Sequence, residues 1–556
     1  MPSIIEDASP HTNFTIVADA LPSQVLGGSR LSYYVAISAV LFCIWLFQSD
    51  KQKCSVSAPF YQASRLKWMF NADILIKDSY SKFRDTVYQV KSTEGVRTII
   101  PSSLVGELKG LPEDTLSART AVKEAMLSEY TNLCAGLHSD TLSLLLKCKM
   151  TGQLARMTPQ LKEELEYIIA TEFPECQEWT PFKIQPFMVR TIARLSGRVF
   201  VGPLLNRTEE WMDVSINFAI TAFIAVIKLQ FFPPWMRPAA QYLVSELRTI
   251  RRDLERAQAM LTPIIEERIR DAETPGYDKP DDFVQWLQDA LPEDQKTDFY
   301  IQSKIQLLLS AASIHTTSNL TTDCIYDLAV HQDMQEILRE EAREVLNDEE
   351  AWERKDSMGK LKKLDSFIKE SQRLSGNVTS FIRKVMKPVD LSDGTHLPAG
   401  TNLLAPMAGV AVDPRYYPDP EVFDGLRFWK LRQHQRSSSS SSFSSPASST
   451  ATLPTSTSTS TSTSTTTDEP SINANGRWQF TSIGDTAMNF GLGKHACPGR
   501  FFAGCEIKMV LAYLLLNYDI KLRDGEGRPA PNMFMMTKSP SMTAEVLFRR
   551  RTTIYS

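Results

Sequence analysis

The chain has 556 residues, enough for one large core or two intimate ones, and its 42% hydrophobic and 23% charged fractions exclude a fibrous or wholly disordered protein. Its formal net charge is −4 and its basic residues are scattered, so it carries no nucleic-acid footprint. Eight cysteines without a Cys-x-x-Cys pair or a Cys/His cluster at zinc spacing point to a reducing compartment rather than a disulfide or zinc framework.

Residues 1–30 are polar and mildly acidic. The run at 31–48 is uncharged and almost wholly apolar, close to the roughly 20 residues that span a bilayer, and predicts a transmembrane anchor followed by a linker at 49–57. A cleaved signal peptide would begin with a short basic leader at Met1, unlike the polar residues found there. Lys51, Lys53, Arg65 and Lys67 follow the run, whereas Arg30 alone precedes it beside Glu6, Asp7 and Asp19. The positive-inside rule therefore places 1–30 in the lumen and the bulk of the chain in the cytosol. The sequon Asn13-Phe14-Thr15 then lies where glycosylation occurs, although such triplets also arise by chance. A buried amphipathic helix is the alternative reading of the apolar run.

From 58 to about 432 the pattern is mostly helical, with 238–271 and 304–346 carrying apolar residues at three- and four-residue spacing. The apolar stretches 218–232 and 307–312 read either as core or as the wall of a pocket for a greasy molecule. Ala311-Ala312-Ser313-Ile314-His315-Thr316-Thr317 sets small residues and hydroxyls inside a long helix, where Ser and Thr bond the backbone and open a place for a ligand. Glu370 and Arg373, three residues apart, share one helix face. Residues 389–400 form a turn-rich stretch that predicts a small hairpin. The nearly pure Ser/Thr tract at 437–467 cannot bury enough apolar surface to offset the entropy of ordering it, and predicts a disordered insertion at about 433–475 inside one domain running 58–556. The expected fold class is mainly α with a small β part.

The most distinctive segment is Phe490-Gly491-Leu492-Gly493-Lys494-His495-Ala496-Cys497-Pro498-Gly499-Arg500, followed by a helical pattern. Gly493 and Gly499 permit backbone angles and close approaches that a side chain blocks. A helix starting just after Cys497 points free amides and positive dipole at the sulfur. Such a loop delivers a thiolate.

This segment resembles the haem loop of the cytochrome P-450 family, Phe-x-x-Gly-x-x-x-Cys-x-Gly, at every fixed position, and the overall likeness is to fungal secondary-metabolite members of the ent-kaurene oxidase-like branch. The resemblance implies the haem-thiolate fold, with haem b as cofactor and Cys497 as the iron's axial ligand. Phe490, Gly491, Gly493 and Gly499 would frame it, and His495 would stand where a basic residue meets a haem propionate. A thiolate ligand favours O–O cleavage, unlike the histidine of globins. Glu370 and Arg373 match the family's Glu-x-x-Arg pair, and Arg427, in Phe423-Asp424-Gly425-Leu426-Arg427, matches the arginine completing its ion triad. Gly425 departs from the usual proline. Thr316 matches the distal threonine that delivers protons to bound dioxygen, while His315 occupies a position where an acid is usual and would act as a relay, or else merely face a neighbouring helix. Arg383 matches a propionate-binding arginine. The Trp-x-x-x-Arg pattern is missing between 121 and 150, where Lys147 or Lys149 is the available replacement.

The expected function is a monooxygenase oxidising an apolar secondary metabolite, a terpenoid or meroterpenoid, with dioxygen. Its electrons would come from NADPH through a separate NADPH–cytochrome reductase, because the chain lacks a Gly-x-Gly-x-x-Gly dinucleotide motif. A b-type cytochrome is an additional partner, docking is expected where Lys494, Arg500 and Lys508 cluster, and the location is a single-pass position in the endoplasmic reticulum membrane. The rivals are a haem-thiolate isomerase acting on a peroxide without a reductase, and a non-catalytic haem sensor.

Overall fold

A computed structural model describes residues 56–133, 140–354, 356–441 and 477–552. The expected leader, anchor, Asn13 sequon and most of the Ser/Thr tract lie outside them, and residues 433–441, expected to belong to the disordered insertion, instead continue the helix Arg427–Ser441. The principal helices in chain order are α1 (Arg65–Lys82), α2 (Thr151–Glu172), α3 (Ile184–Phe200), α4 (Glu209–Gln230), α5 (Ser245–Asp271), α6 (Phe299–Val330), α7 (Gln332–Val345), α8 (Lys362–Ser375), α9 (Arg427–Ser441) and α10 (Arg500–Asn517). The architecture is mainly α, as the sequence pattern requires.

The centre of the molecule is α6, whose 32 residues pack against α3, α4, α5, α8 and α10. Asp298 caps it by accepting the Ile301 amide at 2.9 Å. Its residues Leu307, Leu308, Leu309 and, further on, Cys324, Ile325 and Leu328 are buried, as befits a helix apolar on nearly every side. Among the described residues α4 alone is long and apolar enough to cross a membrane. It is instead a core helix along one face, burying Phe218, Ala222, Ala225 and Leu229 against its neighbours while Ile220, Phe223 and Ile224 stay exposed.

Two expected helical stretches are broken. The 304–346 pattern divides at His331, whose backbone leaves helical space (φ −98°, ψ 68°) and whose ring stacks on Phe423 at 4.5 Å. The 238–271 pattern divides before Ser245, where Val244 is extended. Neither break carries glycine or proline, so periodicity alone runs straight through both.

Six short strands form the main sheet in the order β1 (Phe60–Tyr61), β2 (Tyr88–Ser92), β3 (Gly95–Ile99), β9 (Asn402–Ala405), β6 (Ser380–Val385), β4 (Leu116–Ser117). A second sheet joins β10 (Tyr518–Lys521), β13 (Val546–Arg550) and β5 (Thr180–Phe182). The expected hairpin is β7 (Val389–Asp390) against β8 (His396–Leu397), turning at Gly394 with φ +84°. A second two-stranded hairpin pairs β11 (Asn532–Phe534) with β12 (Thr537–Ser539).

Two contacts position the site. The buried Glu341 carboxylate on α7 accepts the amides of Lys362, Lys363 and Leu364 at 2.7–3.0 Å, tying down the start of α8. At the other end, a Cβ on Gly376 would lie 2.4 Å from the Gln372 carbonyl oxygen and 2.5 Å from Asn489 Oδ1. Only glycine lets the end of α8 meet the chain entering the cysteine loop.

Candidate active site

The Phe490 carbonyl accepts the Cys497 amide at 2.7 Å and closes the loop. Gly493 lies at φ +60°, and a Cβ there would sit 2.8 Å from the Lys109 carbonyl oxygen, so its side chain must be absent. Gly491 is also left-handed, at φ +72°. Gly499 is different: it precedes α10 at an ordinary φ of −85°, and an added Cβ would meet nothing nearer than Met150 Cε at 3.7 Å. The backbone angle at Gly499 therefore does not require glycine, contrary to that part of the expectation, and its amide is directed at the Cys497 sulfur.

Burial is the largest influence on the Cys497 thiol and pushes its pKa up, while hydrogen bonds from the Gly499 and Arg500 amides and the Arg500 charge oppose it. A coordinating metal ion would deprotonate such a thiol outright. Phe490 packs edge-on to Phe480, with ring centroids 5.2 Å apart.

Arg383, on β6, is buried, donates to the Ile382 carbonyl at 2.9 Å and forms no salt bridge among the described residues. Burial pulls its pKa down to about 10, with Glu113 opposing. Glu113 also lies 2.9 Å from His495 Nε2. Burial and then Arg383 push His495 below its ordinary pKa, which leaves the imidazole mostly neutral near pH 7. Lys147 donates to the Lys494 carbonyl at 3.1 Å, placing it against the loop. Arg383, His495 and Glu113 thus lie close enough to act on one another beside the cysteine loop.

Along α6, Ala312 and Thr316 are exposed although 307–310 and 317–318 are buried. They stand one turn apart on one face of the helix. Thr316 Oγ1 donates to the Ala312 carbonyl at 2.8 Å, the local backbone bonding expected of this motif. His315 points elsewhere: its Nε2 is 2.9 Å from the Ile216 carbonyl of α4, and burial lowers its pKa. The structure thus shows the arrangement in which His315 faces a neighbouring helix. Leu307 to Leu309 are core rather than pocket wall.

Beneath the same turn lies a group that sequence reasoning missed. Ser313 Oγ is 2.9 Å from Ser196 Oγ on α3, and Ser196 donates to Glu506 Oε1 on α10 at 2.9 Å. Glu506 is fully buried, its Oε2 has no hydrogen-bond partner, and burial raises its pKa to about 8. The available signal was a lone acid within an otherwise apolar helix. Glu113 offered no such signal, lying among ordinary polar neighbours.

The ion triad forms as expected. Glu370 accepts from Arg373 at 2.9 and 2.7 Å and from Arg427 Nε at 3.0 Å, with all three side chains buried. The arginines' other donors hold carbonyls of the connecting segment, including Ala411, Pro420 and Val422. Gly425 is explained by space: a Cβ there would lie 2.8 Å from the Phe367 ring. One expectation fails, because Lys508 is buried and turns inward to Asp365 at 2.7 Å instead of joining a surface cluster. It lies on a helix buried on nearly every side, so its charge finds a partner inside.

Residues 142–445 and 474–546 match the sequence profile described as Cytochrome P-450. The chain belongs to the cytochrome P-450 family. It is similar to cytochrome P-450 monooxygenase braC of Annulohypoxylon truncatum, 33% identical with 87% of this chain and 90% of the relative covered. Cytochrome P-450 monooxygenase olcJ of Penicillium canescens is 33% identical, with 94% of each chain covered. The ent-kaurene oxidase of Gibberella intermedia is 31% identical, covering 88% of this chain and 85% of the relative. In fold it is similar to a retinoic acid-bound cyanobacterial CYP120A1, with a TM-score of 0.62 at 16% identity over 89% of this chain and 99% of that one. The protein is a P-450 monooxygenase. The family implies a haem with cysteine-thiolate ligation, and the residues fit that group: a part-buried thiol with two amides, an arginine lacking a salt bridge, and an exposed alanine–threonine face.

Two measurements check this geometry. Glu370→Ala strands two buried arginines and is expected to cost about 3–5 kcal/mol, seen as a large fall in thermal midpoint and in folded yield. Glu506 binds its proton more tightly folded than unfolded, so its contribution to stability is complete below its ordinary carboxylate pKa and is lost as pH rises toward about 8. Chemical denaturation of Glu506→Gln should show a flatter decline in stability between those limits than the parent.

Proposed function

We propose that Cys497 is the thiolate ligand of haem b, with Arg383 and His495 at its propionate edge and Thr316 on the dioxygen side. The observation that carries this reading is the Cys497 loop, closed by the Phe490 carbonyl with the Gly499 and Arg500 amides directed at the sulfur. When bound, the haem supplies dioxygen activation, inserting one oxygen atom into the substrate while the other leaves as water. Thr316 lies on the exposed face of α6 with its Oγ1 hydrogen on the Ala312 carbonyl, so it delivers a proton when that hydroxyl rotates from the backbone toward the dioxygen side. Glu506, protonated at neutral pH, holds a proton on a serine path reaching the same helical turn. His315 holds α4 against α6 through the Ile216 carbonyl, a positioning role rather than a relay.

The substrate is an apolar terpenoid or meroterpenoid, a reading supported by likeness to ent-kaurene oxidase. Electrons come from NADPH through NADPH–cytochrome reductase, with a b-type cytochrome as second donor, docking near exposed Lys494 and part-exposed Arg500. Anchorage in the endoplasmic reticulum membrane by 31–48 agrees with the apolar side chains exposed beyond α4, Trp235 at 79% and Leu243 at 77%, and on α1, Ile74 at 61%. An isomerase or a haem sensor has no use for the exposed Thr316 alcohol.

Reduced, carbon monoxide-treated microsomes bearing the chain should show the red-shifted thiolate band, and Cys497→Ala should lose it. A histidine-type band in folded parent protein, or no haem at all, contradicts the assignment. With reductase, NADPH and a diterpene, Thr316→Val should consume NADPH while forming roughly a hundredfold less product or lower, the range of a lost positioned proton donor. Turnover independent of reductase and NADPH would instead favour the isomerase.

A further inference from the structure

Outside the haem site, a cavity of about 330 Å³ lies between α8, α9 and one face of α10, where Phe501, Gly504, Cys505 and Lys508 recur at helical spacing. We propose that it binds a phosphate-class oxyanion, either inorganic phosphate or a small phosphate monoester.

The argument is one of charge and satisfaction. Asp365 is the single acid lining the cavity, against Lys362, Arg432 and Lys508. That carboxylate is already saturated: it accepts from Lys508 Nζ at 2.7 Å, from the Phe480 amide at 2.9 Å and from Arg432. Behind it, buried Lys369 donates only to neutral oxygens, the Gln479 carbonyl at 2.6 Å and Ser482 Oγ at 2.7 Å. Burial pushes the Lys369 pKa down to about 7, with Asp365 opposing and Arg432 reinforcing. One carboxylate thus faces two buried cations, Arg432 and Lys508, with Lys362 exposed beside them.

Arg432 is only 8% exposed, and its buried Nε has no hydrogen-bond partner. A water molecule would satisfy that donor but leave the charge excess, whereas an oxyanion meets both. Lys362 stands exposed at the mouth and Thr481 offers a hydroxyl. At roughly 30 Å³ per water the volume exceeds a lone phosphate, and the apolar walls of Leu154, Trp429 and Phe501 suit an ester substituent.

Equilibrium dialysis of radiolabelled inorganic phosphate against haem-loaded full-length enzyme, at ionic strength fixed with chloride, tests the site. One saturable equivalent per chain is expected. Arg432→Gln should weaken binding about tenfold or more, the loss of a charge-assisted hydrogen bond, and Lys362→Glu, altered only at the mouth, should weaken it less. The carbon monoxide band reports that each variant is folded. Competition by glycerol 1-phosphate tighter than by phosphate assigns a monoester, and the reverse order assigns the free anion. No saturable binding, or equal binding in parent and Arg432→Gln, overturns the proposal.

Discussion

A carboxylate with no exposed surface exists only between opposing charges, and Glu370 is such a group. Its two arginines spend their remaining donors on carbonyls of the segment between β9 and α9, so one acid on α8 fixes a stretch of chain that has little regular structure of its own. That stretch and the end of α8 then support the cysteine loop, through the Gly376–Asn489 approach and the Tyr417 hydroxyl bonded to the Thr486 carbonyl at 3.1 Å. Position flows from a buried ion triad outward to the sulfur.

Against that rigid side stands α6, which serves two environments at once. Most of its surface is core, yet at Ala312 and Thr316 it leaves small or polar side chains exposed. At this turn the Thr316 hydroxyl is spent on the helix's own carbonyls and that of Ser313 on Ser196, so the polar side chains are satisfied locally. The single buried acid connected to this turn comes from α10, the helix that also opens beneath Cys497.

Legibility in the sequence followed how local each requirement is. The cysteine loop was readable because glycine spacing and thiolate chemistry reside within eleven consecutive residues. Glu370 and Arg373 were readable as an i, i+3 pair, whereas Arg427, 54 residues beyond Arg373, entered only by resemblance. The break at His331 was invisible, since apolar periodicity continues on both sides. The inward turn of Lys508 was invisible too, because a helix buried all round shows no polar face against which to judge a charge. The His315 contact depends on α4, a helix about a hundred residues away, and no local pattern encodes it.

Asp365 holds one further consequence. It accepts from Arg432, just before the Ser/Thr-rich insertion, and from the Phe480 amide, just after it, so both ends of that insertion are pinned to one buried atom pair. Loop-closure entropy grows only logarithmically, about 0.6 kcal/mol for each doubling in length. With its ends fastened, the segment between them is free to lengthen or shorten by slippage of its simple repeat at almost no cost to the folded enzyme, which makes this the place in the chain where length is most easily changed.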